Sequence, residues 1–159
     1  MSLFDDDQFR WRDTYFVMFE ADRRPSVDAV SKALKKLGAR YLIHQIEGDD
    51  EGRFESVTVV APHEYSALDV SFIEGEEVAD EIRAMTDEIA PSISDPDERS
   101  RLAQARACSA RFDVMHFEQV TDDGDPDEMV DPAALLAVLG VLTHLTGGVG
   151  IDPQSGELV

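Results

Sequence analysis

The spacing of apolar and polar residues changes along the chain, and each change predicts an element of secondary structure. TYFVMF (residues 14–19) is apolar at every position after its threonine, which is typical of a strand buried on both faces of a sheet. In LDVSF (68–72), apolar residues alternate with Asp69 and Ser71, as in an antiparallel strand with one polar face. VDAVSKALKKL (27–37) has its apolar residues at helical spacing and follows Ser26, a favourable helix cap.

The complete pattern predicts the element order β-α-β-β-β-α-α-β-α-β-β. The predicted strands cover residues 14–19, 40–46, 54–61, 68–72, 111–120, 149–151 and 157–159. The predicted helices cover residues 27–37, 76–90, 96–107 and 133–145. We expect a single α+β domain over residues 1–159, in which residues 1–12 form a loose N-terminal arm.

The order of elements predicts a two-layer α/β sandwich, ferredoxin-like, with a mixed, mostly antiparallel sheet and an added C-terminal hairpin. Two β-α-β units, residues 14–46 and 111–151, flank a central meander of strands. Because crossover connections are right-handed, both crossover helices are expected on the same face of the sheet. The helices together are expected to cover one face only.

The helix predicted at residues 133–145, AALLAVLGVLTHL, has no charged residue between Asp131 and Asp152. Asp131 at the cap and Pro132 at the first helical position predict where it begins. A helix without a polar face is expected to be buried nearly all round, and this one is too short to cross a bilayer. We therefore expect a two-fold homodimer that buries the outer side of Ala133 to Leu145 or an adjoining sheet edge. The competing account is that neighbouring helices cover it within one chain.

The charge of the chain limits its partners. There are 34 Asp and Glu against 14 Lys and Arg, which gives a formal net charge of −20. Nucleic acid and anionic membranes need cationic patches, so neither is an expected partner. A heavily hydrated acidic surface suited to a salty cell is the favoured account of this composition. The alternative is a dedicated acidic surface for a basic protein partner, and an unidentified protein partner remains possible. Cys108 is the single cysteine and no signal peptide is recognisable, so a cytoplasmic location is expected.

One combination of residues has ligand chemistry. His116 and Glu118 are two positions apart in a predicted strand and therefore point to the same face. If the second strand lies beside this one, His44 joins them, and two imidazoles with a carboxylate are able to hold zinc or iron. The alternative is that the histidines are partly buried and hydrogen-bonded within the sheet. No cofactor and no definite metal site are predicted, and no catalytic residue is identified.

Other chemical motifs are weaker. Residues 123–127, DGDPD, space three carboxylates like the start of a calcium loop, but Glu128 replaces the glycine and Ala134 the final glutamate. This stretch is better interpreted as a solvated acidic loop. Arg106 and Arg111 lie near Cys108 in sequence and favour a lowered thiol pKa, although no histidine arrangement is recognisable around it. The glycines at 147, 148 and 150 follow a helix and do not form a phosphate loop.

Three segments together resemble small, uncharacterised bacterial proteins. They are LTGGVGIDPQSGELV near the C-terminus, DVSFIEGEEV and RFDVMHFEQV. The similarity runs over most of the chain and implies a compact α+β domain. It implies no activity, so no functional residue is assigned from it.

The sequence therefore favours a non-enzymatic, acidic, cytoplasmic binding or assembly protein that self-associates. This prediction depends on two observations, the absence of a recognisable catalytic set or cofactor motif and the over-apolar helix near the C-terminus. The alternative is a metal-assisted or other small-molecule enzyme that uses the face of His44, His116 and Glu118.

Overall fold

A computed structural model describes residues 8–120 and 132–159. The strands are β1 (Phe9–Phe19), β2 (Leu42–Gly48), β3 (Phe54–Ala61), β4 (Ser66–Glu74), β5 (Ala110–Gln119) and β6 (Val149–Ile151). The helices are α1 (Val27–Lys35), α2 (Glu76–Ile89), α3 (Pro96–Arg106) and α4 (Ala133–Thr146). The predicted α+β class and the predicted order of these elements are confirmed.

The six described strands form one sheet in the order β2-β3-β4-β5-β1-β6, and every neighbouring pair is antiparallel. The prediction of a mixed sheet is therefore wrong. Helix α1 connects β1 to the distant edge strand β2, while α4 connects β5 to β6 with β1 lying between them. Two side chains fix where helices begin. Ser26 accepts a hydrogen bond from the Ala29 amide at 3.1 Å, and Asp95 accepts one from the Glu98 amide at 3.2 Å.

The larger part of the core lies between the sheet and helices α1 and α4. From β1 this face takes Val17 and Phe19, which pack with Val30 and Leu34 of α1 and with buried residues of α4. The rings of Phe19 and Phe112 are 4.6 Å apart, centroid to centroid. We call this side the α1/α4 face. Both crossover helices lie on it, as predicted.

The opposite side of the sheet also carries helices. Met18 alternates with Val17 and Phe19 along β1, so its side chain points the other way and packs with Val78 and Ile82 of α2 and Ala105 of α3. We call this side the α2/α3 face. The expected single helix layer is therefore wrong: the helices between β4 and β5 cover the second apolar side of β1.

Strand β1 begins earlier than the sequence predicts. Phe9 to Trp11 pair with Gln119 to Phe117 of β5, and the register shifts between Trp11 and Asp13. Residues 9–12 are consequently part of the sheet and do not belong to a loose arm. The alternation in this segment is hidden in sequence because the bulge adds one residue to the strand.

Helix α4 matches its predicted position but not its predicted burial. Val138, Leu139 and Leu142 are buried against the sheet and α1, while Leu136 is 54% exposed. Among the described residues, the covering elements lie on one side of the helix, so the other side keeps an exposed, uncharged stripe. The predicted cap, Asp131, lies outside the described residues, as does the acidic segment 123–127. None of the helices in the described part of the chain is long and apolar enough to cross a membrane.

The C-terminal hairpin is present in reduced form. Strand β6 pairs with β1, and beyond the turn a single bridge joins Ile151 to Leu158. At the start of β6, Gly148 lies against the backbone: a Cβ added there would be 2.5 Å from the carbonyl oxygen of Met18. The hydroxyl of Thr146 accepts a hydrogen bond from the Gly148 amide at 3.1 Å, which orders the turn between α4 and β6.

This close approach predicts opposite effects for two glycine-to-alanine substitutions. Gly148→Ala is expected to lower the free energy of unfolding by about 1–3 kcal/mol, since backbone must move to admit the methyl group. Gly140→Ala is the matched control: its added Cβ meets nothing within 4 Å, and alanine favours a helix by up to about 1 kcal/mol. Urea unfolding at one fixed protein concentration measures both. Equal effects would show that Gly148 does not lie against the carbonyl oxygen of Met18 as described.

Candidate functional site

Polar side chains are concentrated at one end of the sheet, on the α1/α4 face. In the register of the strands, Asp13 of β1 is opposite His116 of β5, and Ser66 of β4 is opposite Glu118. His116 is also opposite Leu68, a member of the core on this face. Three adjacent strands therefore present acid, imidazole and hydroxyl groups on the same side of the sheet. The predicted shared face of His116 and Glu118 is confirmed.

His116 is held by Asp13. The imidazole Nδ1 lies 3.1 Å from Oδ1 of Asp13. A carboxylate only accepts hydrogen bonds, so the neutral imidazole places its proton on Nδ1 and leaves Nε2 as an acceptor. Burial lowers the pKa of His116, and the Asp13 carboxylate opposes that effect only in part. The neutral form is consequently the relevant one at pH 7.

The other nitrogen of His116 has no hydrogen-bond partner among the residues that the structure describes. The residue is only 4% exposed, and no described residue donates to Nε2. A buried acceptor left unpaired costs about 1–3 kcal/mol. Two more buried side-chain atoms of the described residues share this condition, Oγ of Ser66 and Oε2 of Glu64. Since Glu64 belongs to the short connection before β4, all three lie near the same end of the sheet.

Glu118 is engaged by arginines and does not reach toward His116 as a ligand. Arg10 donates from Nε to Oε1 of Glu118 at 2.5 Å and makes a second contact through Nη2. Arg12 adds an ion pair with Oε2 at 3.4 Å. Charge-assisted bonds of this kind occupy the carboxylate oxygens. Glu118 therefore links β5 to the beginning of β1.

His44 does not join the other two residues. It lies exposed on β2, the edge strand, and β3 and β4 separate it from His116 on β5. With neighbouring strands about 4.8 Å apart, the two backbones are about 14 Å apart. No group of three or more His, Cys, Asp or Glu within residues 8–120 and 132–159 is arranged to hold a metal.

Cys108 is unsuited to nucleophilic chemistry. It is buried, and burial raises the pKa of its thiol to about 11. The expected influence of Arg106 and Arg111 is not realised, because Arg106 pairs with Asp87 and Arg111 with Glu81 and Asp113. The thiol therefore stays protonated near neutral pH.

Sequence reasoning missed two members of the polar group. The bulge in β1 interrupts the alternation of the strand, so the sequence did not place Asp13 in it. Ser66 falls in a segment whose polar residues predict a connection between strands. Tyr65, immediately before Ser66, has φ of +51° and is the one non-glycine residue of the described chain in the left-handed region. Strained backbone of this kind occurs preferentially at functional sites.

A second candidate surface is the outer side of α4, which we define as Leu136, Ala137, Gly140, Val141, Thr143 and His144. Leu136, Gly140 and His144 are exposed, and the other three are partly exposed. None of the six is charged at neutral pH unless His144 is protonated. On a chain of net charge −20, this uncharged stripe extends over about two and a half turns of helix.

No protein-family model matches the chain, and no curated protein or solved structure is similar enough to be a match. The polar end of the sheet and the outer side of α4 are therefore the two candidate sites.

Burial of His116 predicts a loss of stability on mild acidification. Its pKa in the folded protein is below the ordinary histidine value of 6.5, so the unfolded chain binds a proton first as the pH falls. The free energy of unfolding should thus decrease from pH 7.5 to 5.5, and this decrease should be smaller in His116→Gln.

The difference in unfolding free energy between wild type and His116→Gln at each pH gives the contribution of the histidine. Asp69 has the opposite effect in both, because burial raises the pKa of its carboxyl group and favours the folded state on acidification. Urea titrations at half-unit pH intervals provide the measurement. Parallel stability curves for wild type and His116→Gln would refute a buried neutral imidazole.

Proposed function

We propose that the chain is a self-associating binding or assembly protein of the cytoplasm, and that two copies meet through the outer side of α4. The observation that carries this proposal is the exposure of Leu136 on a helix without charged residues. An exposed surface that combines an apolar residue with neighbours free of charge is suited to an interface.

Charge supports a second copy over an acidic or basic partner. A basic partner would be bound through carboxylates, and the outer side of α4 has none. Two copies of net charge −20 repel one another, so they are expected to meet where charge is absent. A two-fold arrangement places the same stripe on both sides of the contact, which needs no complementary charge.

The edges of the sheet are less suitable for association. Edge strand β2 has two irregularities, between Ile43 and Gln45 and between Glu47 and Gly48, which disturb regular pairing with another strand. The other edge, β6, is three residues long and is covered by the bridge to Leu158 and a hydrogen bond from the Val159 amide to Gly150. Helix α4 remains the better candidate.

The metal-assisted alternative has less support from the positions of its three candidate ligands. It requires His44 beside His116, and Glu118 free to bind a cation. His44 lies three strands away from His116, and the arginines of β1 occupy Glu118. We therefore do not favour this alternative.

The proposal extends to the fold, which we infer to be an enlarged ferredoxin-like arrangement. Strand β1 lies between β5 and β6, the strands that α4 connects, as in a split β-α-β unit. Strand β4 pairs with β5 and completes the central arrangement. The additional elements are the β2–β3 hairpin and helices α2 and α3.

Self-association is tested by mass in solution. Sedimentation equilibrium at micromolar concentration should give a mass near two chains, about 35 kDa, from the 17.6 kDa of one. Association should tighten from 50 to 500 mM NaCl, because salt shortens the repulsion between the copies to within about 8 Å at physiological strength.

Two substitutions locate the interface. Leu136→Gln keeps the net charge and is expected to give a monomer, while Leu42→Gln is a matched control at a leucine 51% exposed on β2. Leu139 and Leu142 are buried, so substituting them would also disrupt the core. A wild-type mass near one chain across the salt range would refute the proposal. Dissociation by Leu42→Gln alone would instead place the contact at the sheet edge.

A further inference from the structure

The unpartnered atoms at the end of the sheet suggest a role beyond self-association. Ser66 Oγ and His116 Nε2 are both buried, and both lack a hydrogen-bond partner among the described residues. One is a hydroxyl that is able to donate and the other an acceptor, so each is what the other lacks. They belong to neighbouring strands and project from the same face.

The register brings these two groups within reach. Ser66 is opposite Glu118, and His116 is two residues before Glu118, so Ser66 and His116 are diagonal neighbours. Diagonal Cα atoms are about 7–8 Å apart, a gap that long or aromatic side chains can span. No hydrogen bond joins the two atoms as they stand, so the Ser66 or the His116 side chain must change rotamer before the hydroxyl pairs with Nε2.

On its other side, the imidazole is already oriented. Asp13 binds Nδ1 at 3.1 Å and so directs the lone pair of Nε2 away from β1. Serine, histidine and aspartate linked in this order form the relay of serine hydrolases, which is recognised by geometry on unrelated folds and not by sequence order. The strained Tyr65 directly before Ser66 is consistent with a constrained nucleophile.

From this arrangement we propose that Ser66 is a nucleophile, with His116 as its general base and Asp13 as the positioning residue, and that it acts on small carboxylic esters. The oxygen of Ser66 would form a bond to the acyl carbon while its proton passes to Nε2 of His116. The ester C–O bond then breaks, and the leaving alcohol takes that proton. Water attacks the acyl-serine in the same way, releasing the carboxylic acid and restoring both residues.

Burial restricts the substrate. Ser66 is 1% exposed and His116 4% exposed, so an ester reaches them only when the surrounding chain opens. Short acyl groups such as acetyl are therefore favoured over long ones. A reactive serine would make the protein an enzyme. The sequence did not indicate this, because it has no G-x-S-x-G motif.

Covalent labelling tests this proposal directly. The full-length protein is incubated at pH 8 with a small alkyl fluorophosphonate, and intact-mass and peptide-mapping spectrometry follow the adduct. One adduct per chain is expected on Ser66. It should be absent from Ser66→Ala and form at least about 100-fold more slowly in His116→Gln, the usual scale of a general base.

Ser71→Ala is the matched control. Ser71 is on the same strand but is opposite Asp113, so its substitution should leave the labelling rate unchanged. Ser66→Ala removes a hydroxyl that has no described partner, so it should fold with an unchanged near-ultraviolet dichroism spectrum. No adduct on Ser66, or labelling of His116→Gln at the wild-type rate, would overturn the proposal.

The role of Asp13 has its own readout. The labelling rate of wild type should rise with pH through the ionisation of His116. Asp13→Asn removes a carboxylate that raises the pKa of His116, so the midpoint should move to lower pH while the maximal rate falls. A lower rate with an unmoved midpoint would mean that Asp13 is merely structural. Labelling does not depend on dimerisation, so this result and the mass measurements fail or succeed independently.

Discussion

The structure depends on the last four residues of strand β1, which have no polar face. Residues 16–19 of β1 place Val17 and Phe19 on one side of the sheet and Phe16 and Met18 on the other. Burying either side lowers the free energy by about 25 cal/mol for every Å² of apolar surface removed from water. The helix pair α1 and α4 covers one side, and the pair α2 and α3 covers the other. Flanking strands β5 and β6 complete the enclosure by pairing with β1 on both edges.

The same strand changes character toward its beginning. Around the bulge at residue 12, β1 supplies three polar side chains to the α1/α4 face. Arg10 and Arg12 pair with Glu118, and Asp13 binds His116. The apolar part of β1 therefore fixes the core, and its polar part orients an imidazole. A rigid, doubly covered strand is a favourable support for such a group, because catalytic and binding groups need a fixed orientation.

Local patterns in the sequence predicted local structure well. Ser26 and Asp95 cap helices as their positions indicated, and the uninterrupted apolar run in β1 correctly indicated burial on both faces. The consequence of that run, helices on both sides of the sheet, was nevertheless missed. Two apolar faces require two covering layers, whichever topology connects them.

The pairing between strands that are distant in sequence could not be predicted from the sequence. Alternation shows that His116 and Glu118 share a face, but it does not show which strand lies beside them, and His44 proved to be three strands away. For the same reason Asp13 and Ser66, which flank His116 in space, had no sequence signal. The exposed stripe of α4 is a related case, since the amount of cover a helix receives is decided by its neighbours and not by its composition.

Native-state hydrogen exchange tests the central role of β1 most directly. Amides of Val17 to Phe19, and of Phe112 to Val114 on β5, should exchange only through global unfolding, with the full denaturant dependence of that transition. Amides of the irregular edge strand β2 should exchange sooner, through local opening. Exchange of the β1 amides at the β2 rate, without that denaturant dependence, would contradict a fold built around this strand.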